Sequence, residues 1–461
     1  MPYPTAIINN QMTRAEYWHD SIYTTHYDAS YKPNSWAELS AITAIKQIDA
    51  GNFTGSQAVT ACPNLDWEGT WLAVKDGMPV LRAFHNISLV GHTEKCADCG
   101  IEGAVATPHR YVGNTCTICD KVLTCGEDVI YWNGTATAPT STASGTKDDP
   151  IIIKNAQELN YIATQIAGTA NGKWYKMADG IGTIILQPEG IVDADYLMGL
   201  TDAADVKDYL TGLSGVKDWI PDNVEKYFNG NFDGNGVQIY GLYTEGKNNA
   251  GLFRCVDPWF ATDGNAVFTE NSKNYYVDTN FDEPIVFKNF AIKNSYYSSA
   301  RRMGAVVAMT GSPNYGTNYT GAITIDNCVV SNCFMETTST NVGQDGERGL
   351  IVGALSGDLF RINNCLIYGN KATWSTGVEM SLAPQAATFK SIAEAKNDNA
   401  FTWAADSSII ENTITNCVVL GTAPYCTRQG ANDNRSVGKD AFENVYTDVD
   451  ISNVMSGANP P

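Results

Sequence analysis

The chain has 461 residues, 17% of them charged, with 50 Asp and Glu against 30 Lys and Arg for a formal net charge of −20. That acidic balance excludes nucleic acid and anionic membrane as natural partners, since both demand basic surface, and it serves solubility. The low charged fraction and 41 glycines exclude a solvated disordered chain and a helical bundle, and the length allows two or three domains with a sizeable core.

Residues 1–90 mix strand-like runs, such as that from Ser21 to Tyr27, with one helix whose start is marked. Ser35 and Glu38 form a capping box there, and Leu39, Ile42 and Ile45 share one face. The segment closes on a strand led by Trp71, followed by Gly77, Pro79 and Leu81. The start, from Met1 to Thr5, carries neither a basic region nor a long apolar core, so no signal peptide is read there. No apolar run approaches the ~20 residues of a bilayer span, and membrane insertion is not expected. The chain is read as a mature form, a fragment of a longer surface protein, or a virion protein.

Residues 91–132 form a Cys-rich module. Cys96 and Cys99 make one C-x2-C knuckle, Cys116 and Cys119 a second, with 16 residues between them. Each knuckle presents two thiolates to one tetrahedral ion, so the spacing predicts a structural zinc, with two disulfides as the alternative outside cells. His92, His109 and Cys125 stand close enough to replace a ligand or support one. Four cysteines would close the position that a catalytic zinc keeps open, and so small a module needs a staple. Residues 133–148, rich in Thr, Ala, Ser and Gly, read as a linker.

From 149 to 461 the chain is written in short strands. Ile151, Ile152 and Ile153 open a strand; Asn155 and Glu158 cap a helix whose Leu159, Ile162, Ala163 and Ile166 form an apolar face fit to cover a first rung. A further helical excursion over 201–220 contains Val206, Tyr209 and Leu210. Around Asn229, Asn231, Asn235 and Gly236 the backbone must turn at positive φ, while Val237, Ile239 and Leu242 alternate as a half-buried strand. The same grammar then recurs: Lys288-Asn289-Phe290, Asp326-Asn327-Cys328, Asn363-Asn364-Cys365 and Thr415-Asn416-Cys417, each flanked by apolar residues. The Phe/Cys positions lie 38, 37 and 52 residues apart, as in similar rungs with loops of varied length. Stacking predicts an Asn ladder beside a Phe290–Cys328–Cys365–Cys417 ladder, with small apolar strands at 304–309 and 350–355 between them. The predicted fold is therefore all-β, a parallel β-solenoid with capping helices and the Cys-rich module.

These residues resemble the right-handed parallel β-helix of bacterial surface proteins with GLUG-type repeats, over about 149 to 449. The signature is met by Gly251, Leu252 and Phe253, with Arg254 in place of the final glycine. The order of Ile151, the Asn155-capped helix and Trp174 is similar to the way such coils begin. The Trp71-to-Leu81 element resembles the way they end, yet it stands before the coil, and residues 442–448 read like a rung awaiting that ending. Completion between subunits or tandem repeats is expected, a head-to-tail contact that yields a filament, with folding back along the same coil as the alternative.

The resemblance implies display outside cells and an adhesive or structural role. The expected function is a non-enzymatic extracellular structural or adhesive β-helix at the cell surface, with itself as partner and glycans or a host surface as further candidates. The alternative is a phage tail fibre or tailspike, or a polysaccharide-binding or -degrading β-helix. Hydrolysis would need two carboxylates roughly 5–9.5 Å apart, and Asp233 with Asp326 or Asp358 is the candidate pair. An Asp in such a turn more often caps backbone N–H groups. A lyase would draw its base from Arg301 or Arg302, read as preceding a strand. The 23 Tyr and 10 Trp could line a glycan-binding face.

Overall fold

The computed structural model describes residues 45–96 and 128–449 apart from internal stretches, the longest being 257–267, 278–284, 311–317, 338–348, 374–380, 385–411 and 428–439. The helix expected after Ser35 lies outside the described residues. Strands dominate, and they form long parallel sheets.

Eight successive windings stack by parallel pairing. Asp128–Tyr131 pairs with Ile181–Ile185, which pairs with Asn231–Tyr240, and this with Ile285–Lys293. The order continues through Ala322–Asp326 with Val329–Ser331, Leu359–Asn363 with Leu366–Tyr368, Asn412–Thr415 with Val418–Val419, and Asp440–Glu443 with Val445–Thr447. Register is set by alternation, because a one-residue slip would turn every core side chain outward. The inward column of the first leg runs Tyr175, Phe232, Phe287, Ile325, Ile362, Ile414 and Phe442, none more than 9% exposed. That of the second leg runs Ile184, Ile239, Ile292, Val330, Ile367, Val419 and Thr447.

Between the two legs of the last six windings the chain turns through the left-handed region at an Asn, namely Asn235, Asn289, Asn327, Asn364, Asn416 and Asn444, with φ between 52° and 59°, and in the winding before them Gly180 stands there at 87°. Asn tolerates this conformation where a β-branched or bulky residue would not. A second corner follows at Gly241, Asn294, Asn332, Gly369 and Gly421, also at positive φ. Beyond it lies a second parallel sheet, Tyr243–Ala250, Tyr296–Met303, Phe334–Thr337 and Lys371–Thr373. Short bridges between Phe253, Val307 and Val352 close the section. There the Gly251-Leu252-Phe253 step bonds onto residues 305–306, and those onto 350–351. A Cβ on Gly304 would lie 2.4 Å from Gly353 N, so only glycine fits between the rungs.

The capped helix forms as its sequence requires. Asn155 Oδ1 accepts from Glu158 N at 2.9 Å, and Lys154 N donates to Glu158 Oε2 at 2.7 Å. Its Ala156–Asn160 turn continues as a wider π-type turn, Tyr161–Gln165, and buries Leu159, Ile162, Ala163 and Ile166 in the main core. The excursion forms the helices Ala194–Gly199 and Ala203–Gly212, capped by Asp193 and Asp202; Val206 and Leu210 cover Tyr243, Tyr296 and Phe334 on the outside of the second sheet.

Residues 45–85 fold back onto the coil of the same chain. Ile45–Gln47 adds a parallel strand to Val445–Thr447, the last winding, with Ile45 opposite Val445. Ile45 lies in this strand rather than on the helix face expected from its spacing. Trp71–Leu72 and Val80–Leu81 pair antiparallel, and Asp128–Tyr131 belongs to the first winding.

Candidate functional site

The ladders foreseen in the coil are present. Asn327 Nδ2 donates to Asn289 Oδ1 at 2.8 Å, Asn289 Nδ2 to Asp233 Oδ1 at 2.9 Å, Asn364 Nδ2 to Asp326 Oδ1 at 2.9 Å, and Asn444 Nδ2 to Asn416 Oδ1 at 2.9 Å. Beside them Phe290, Cys328, Cys365 and Cys417 occupy one buried column, extended by Val237 above and Val445 below. Backbone bonds tie its members: Leu366 N to Cys328 O, Val418 N to Cys365 O and Tyr446 N to Cys417 O, all 2.9–3.0 Å. Burial holds the Cys328 and Cys417 thiols well above the ordinary range and pushes Cys333 up to about 12, so they are protonated, poor nucleophiles.

Of the carboxylates proposed for hydrolysis, Asp233 caps a turn and Asp326 accepts from Asn364 of the next winding. Asp233 Oδ1 accepts from Asn235 N and Asn289 Nδ2, both at 2.9 Å, and its Oδ2 lies 3.2 Å from Lys288 Nζ. Asp326 stands two windings from Asp233, about 9.6 Å at the usual strand spacing, with Lys288 between them. Asp358 lies outside the described residues. Arg301 and Arg302 lie within the strand Tyr296–Met303 rather than before it, and Arg302 is buried. Tyr196, 55% exposed and 4.9 Å from Tyr209, is the one strongly exposed aromatic among the described residues.

Of the four cysteines expected to hold zinc, Cys96 ends the strand Thr93–Cys96, which pairs antiparallel with Ile87–Val90. Cys99, Cys116 and Cys119 lie outside the described residues, as do His92, His109 and Cys125. Among the described residues no group of three His, Cys, Asp or Glu is placed to hold a metal, and no helix is long and apolar enough to cross a membrane.

The folding back of the N-terminal segment, the alternative in the sequence reading, is what residues 45–85 do, and the feature that reading did not name is the outward apolar column of the coil that receives them. The second leg of each winding presents an outward column: Gln238, Ala291, Val329, Leu366, Val418 and Tyr446. Phe53, Leu65, Trp67, Trp71, Leu81 and Phe84 form one buried apolar cluster with its last five members. Tyr446 Oη accepts from Asn64 N at 3.2 Å, and Lys46 Nζ sits 5.6 Å over its ring. Arg82 ties the segment internally, donating from Nε to Trp71 O and from Nη2 to Trp67 O, each at 3.0 Å.

A small cavity, with room for about one water, opens in this seam between residues 78–85 and Ala291, Lys293, Val329, Leu366 and Tyr368. Lys293 Nζ donates to Gln238 Oε1 at 3.0 Å, and Tyr240 Oη donates to the same oxygen at 3.2 Å. The lysine is 5% exposed, and burial pulls its amine down from 10.5 to about 7. A signal for this face existed: the outward residue two positions past each Asn corner is apolar in every winding from Ala291 onward, where an uncovered parallel sheet would carry polar residues.

No family model and no curated protein matches this chain. A solved structure of a putative immunoglobulin A1 protease from Bacteroides ovatus matches 66% of this chain and 77% of its own at 16% identity. Its TM-score is 0.29, a superposition too loose to carry an argument about fold or activity.

Proposed function

We propose that the chain is a right-handed parallel β-helix serving as a non-catalytic structural or adhesive module at the cell surface, one that joins to copies of itself. One observation carries the reading. The polar residues that recur from winding to winding are spent on holding the windings together: Asn289, Asn327, Asn364 and Asn444 bond along the ladder, and Asp233 and Asp326 accept from it. A hydrolase would instead keep two carboxylates facing a groove with room for water between them, whereas here a lysine stands between Asp233 and Asp326. The Cys-rich module fits this role as a structural zinc site held by Cys96, Cys99, Cys116 and Cys119, with disulfides as the alternative.

The test pairs shape with chemistry. Electron microscopy of the purified chain should show short rods, alone or joined tip to tail, and incubation with a panel of polysaccharides should release neither reducing ends nor unsaturated products. Either product would overturn the reading in favour of a polysaccharide-degrading β-helix, such as a tailspike. Metal analysis should find one zinc per chain, lost in Cys99→Ser.

A further inference from the structure

We propose that residues 45–85 are an exchangeable latch, which closes on its own coil in the monomer and on the coil of a second copy in the assembled form. The inference rests on the reading above, that copies of this chain join, and supplies the surface through which they do so. That surface is the outward column from Ala291 to Tyr446 together with the open edge of the last winding.

Three observations support it. The latch is an addition to the outside of the coil: one short strand, Ile45–Gln47, pairs with Val445–Thr447, Ile48 N donates to Thr447 O at 2.7 Å, Asn64 N and Lys46 meet Tyr446, and a buried apolar cluster makes the body of the contact. None of these contacts depends on which copy supplies the latch, so exchange replaces each with its equal. The latch runs along the outside of the coil from the last winding, where Ile45–Gln47 pairs, to the third, where a Cβ on Gly236 would lie 2.7 Å from Ala83 O, so one face of it fits the stripe of six successive windings.

The third observation is the nature of the covered surface. Opening the latch bares Ala291, Val329, Leu366, Val418 and Tyr446 in one continuous stripe, together with an unpaired strand edge at Val445–Thr447. An apolar stripe beside an open parallel edge is the combination that recruits another chain, and the segment built to fit it is a second copy's latch. Because donor and acceptor surfaces differ, the contact is heterologous, and repetition extends it into an open filament. With a net charge of −20 on each copy, salt should promote the exchange.

The experiment uses two full-length variants, Gln47→Cys and Thr447→Cys, whose positions face each other in the register. Both substitutions in one chain should give an internal crosslink on mild oxidation. Single variants, mixed at increasing concentration and then oxidised, should give a crosslinked pair of copies whose peptide joins positions 47 and 447, in a yield that rises in proportion to concentration. Donor and acceptor dyes on the N-termini of unsubstituted chains provide the same readout should either variant fold poorly. An internal crosslink in the double variant with no crosslink or energy transfer between copies, even at millimolar concentration, would overturn the exchange and leave the structural reading standing. Failure of the internal crosslink would overturn the latch itself. Polysaccharide cleavage would sink the structural reading without touching either result.

Discussion

The inside of the coil and the seam beneath the latch both bury aromatic and aliphatic side chains, but they are built on different principles. Inside, every contact is repeated: Phe287 lies under Phe232 and over Ile325, and each column continues the same pattern at the next winding. In the seam nothing repeats on the latch side, where Phe53, Trp67, Trp71 and Phe84 form a single irregular cap over the regular stripe of the coil. A repeated core is cooperative along its length, because each winding is needed by the next. A cap is needed only by the surface it covers and can leave without unravelling the rest.

The sharpest way to break this contrast is to truncate one large side chain on each side. Phe287→Ala, at a fully buried position touching Phe253 and Phe228 at centroid distances of 4.7 and 6.0 Å, should cost roughly 3–5 kcal/mol and lower the main thermal transition. Trp71→Ala should cost a similar amount, since the ring is fully buried 6.4 Å from both Phe53 and Trp67. That loss should fall on the latch alone. Limited proteolysis should cut residues 45–85 early while the main transition of the coil barely moves. A common shift in both variants would show that latch and coil melt as one unit.

Asn364 probes the coil at its corner. Its φ of 52° and its bond to Asp326 are separate demands, so Asn364→Ala should cost roughly 2–4 kcal/mol, part from the left-handed backbone and part from the amide taken from a half-buried carboxylate. Asn364→Gly should recover the backbone part and leave the carboxylate part. Chemical denaturation of both variants separates the two, and equal losses would show that the ladder bond alone carries the corner.

Lys293 probes the seam through pH. With the latch closed the amine titrates at about 7; with it open the amine returns toward 10.5. Between those values the closed state binds fewer protons, so closure should strengthen by about 1.4 kcal/mol for each pH unit gained. Below pH 7 both states hold the proton, the full cost of burying the charge is present, and the slope should vanish. The groups facing the amine are His85 from the latch and Gln238, Tyr240 and Tyr368 from the neighbouring windings. Cleavage of the latch by a protease active at alkaline pH should slow from pH 7 to pH 10, and Lys293→Met should remove that dependence. An unchanged slope in the variant would place its origin elsewhere.

The same contrast explains what could be read in advance. The Asn and Cys ladders were legible because stacking repeats a residue type at each winding, and recurrence survives loops of different length. The second corner was legible in principle too: Asn294, Asn332, Gly369 and Gly421 each stand five residues after an Asn of the first corner. It was hidden because Asn and Gly alternate there, both meeting the one demand for positive φ. The latch was legible as a segment that completes a coil, with its own coil as one of the alternatives, but the face it covers was not. Trp71 and Leu366 are brought together by a return of the chain that no local pattern records, and the apolar column it covers reads as just another strand face.

The smallest expected effect concerns the cysteines, and it divides a structural column from a chemical one. Val237 and Val445 occupy the two ends of the column that holds Cys328, Cys365 and Cys417, so the winding already accepts a β-branched aliphatic there. Cys328→Val and Cys417→Val should each change stability by less than about 1.5 kcal/mol and leave the rods, and any binding they support, unaltered. Cys365 lies between two other sulfurs, with its N–H 3.5 Å from Cys417 Sγ, and has the least room to expand. Cys365→Val should therefore be the most costly of the three. A loss of assembly or binding at unchanged stability would give the thiols a chemical task, whereas the ranking Cys365 above Cys328 and Cys417, read by thermal denaturation, would mark them as small apolar residues chosen for volume.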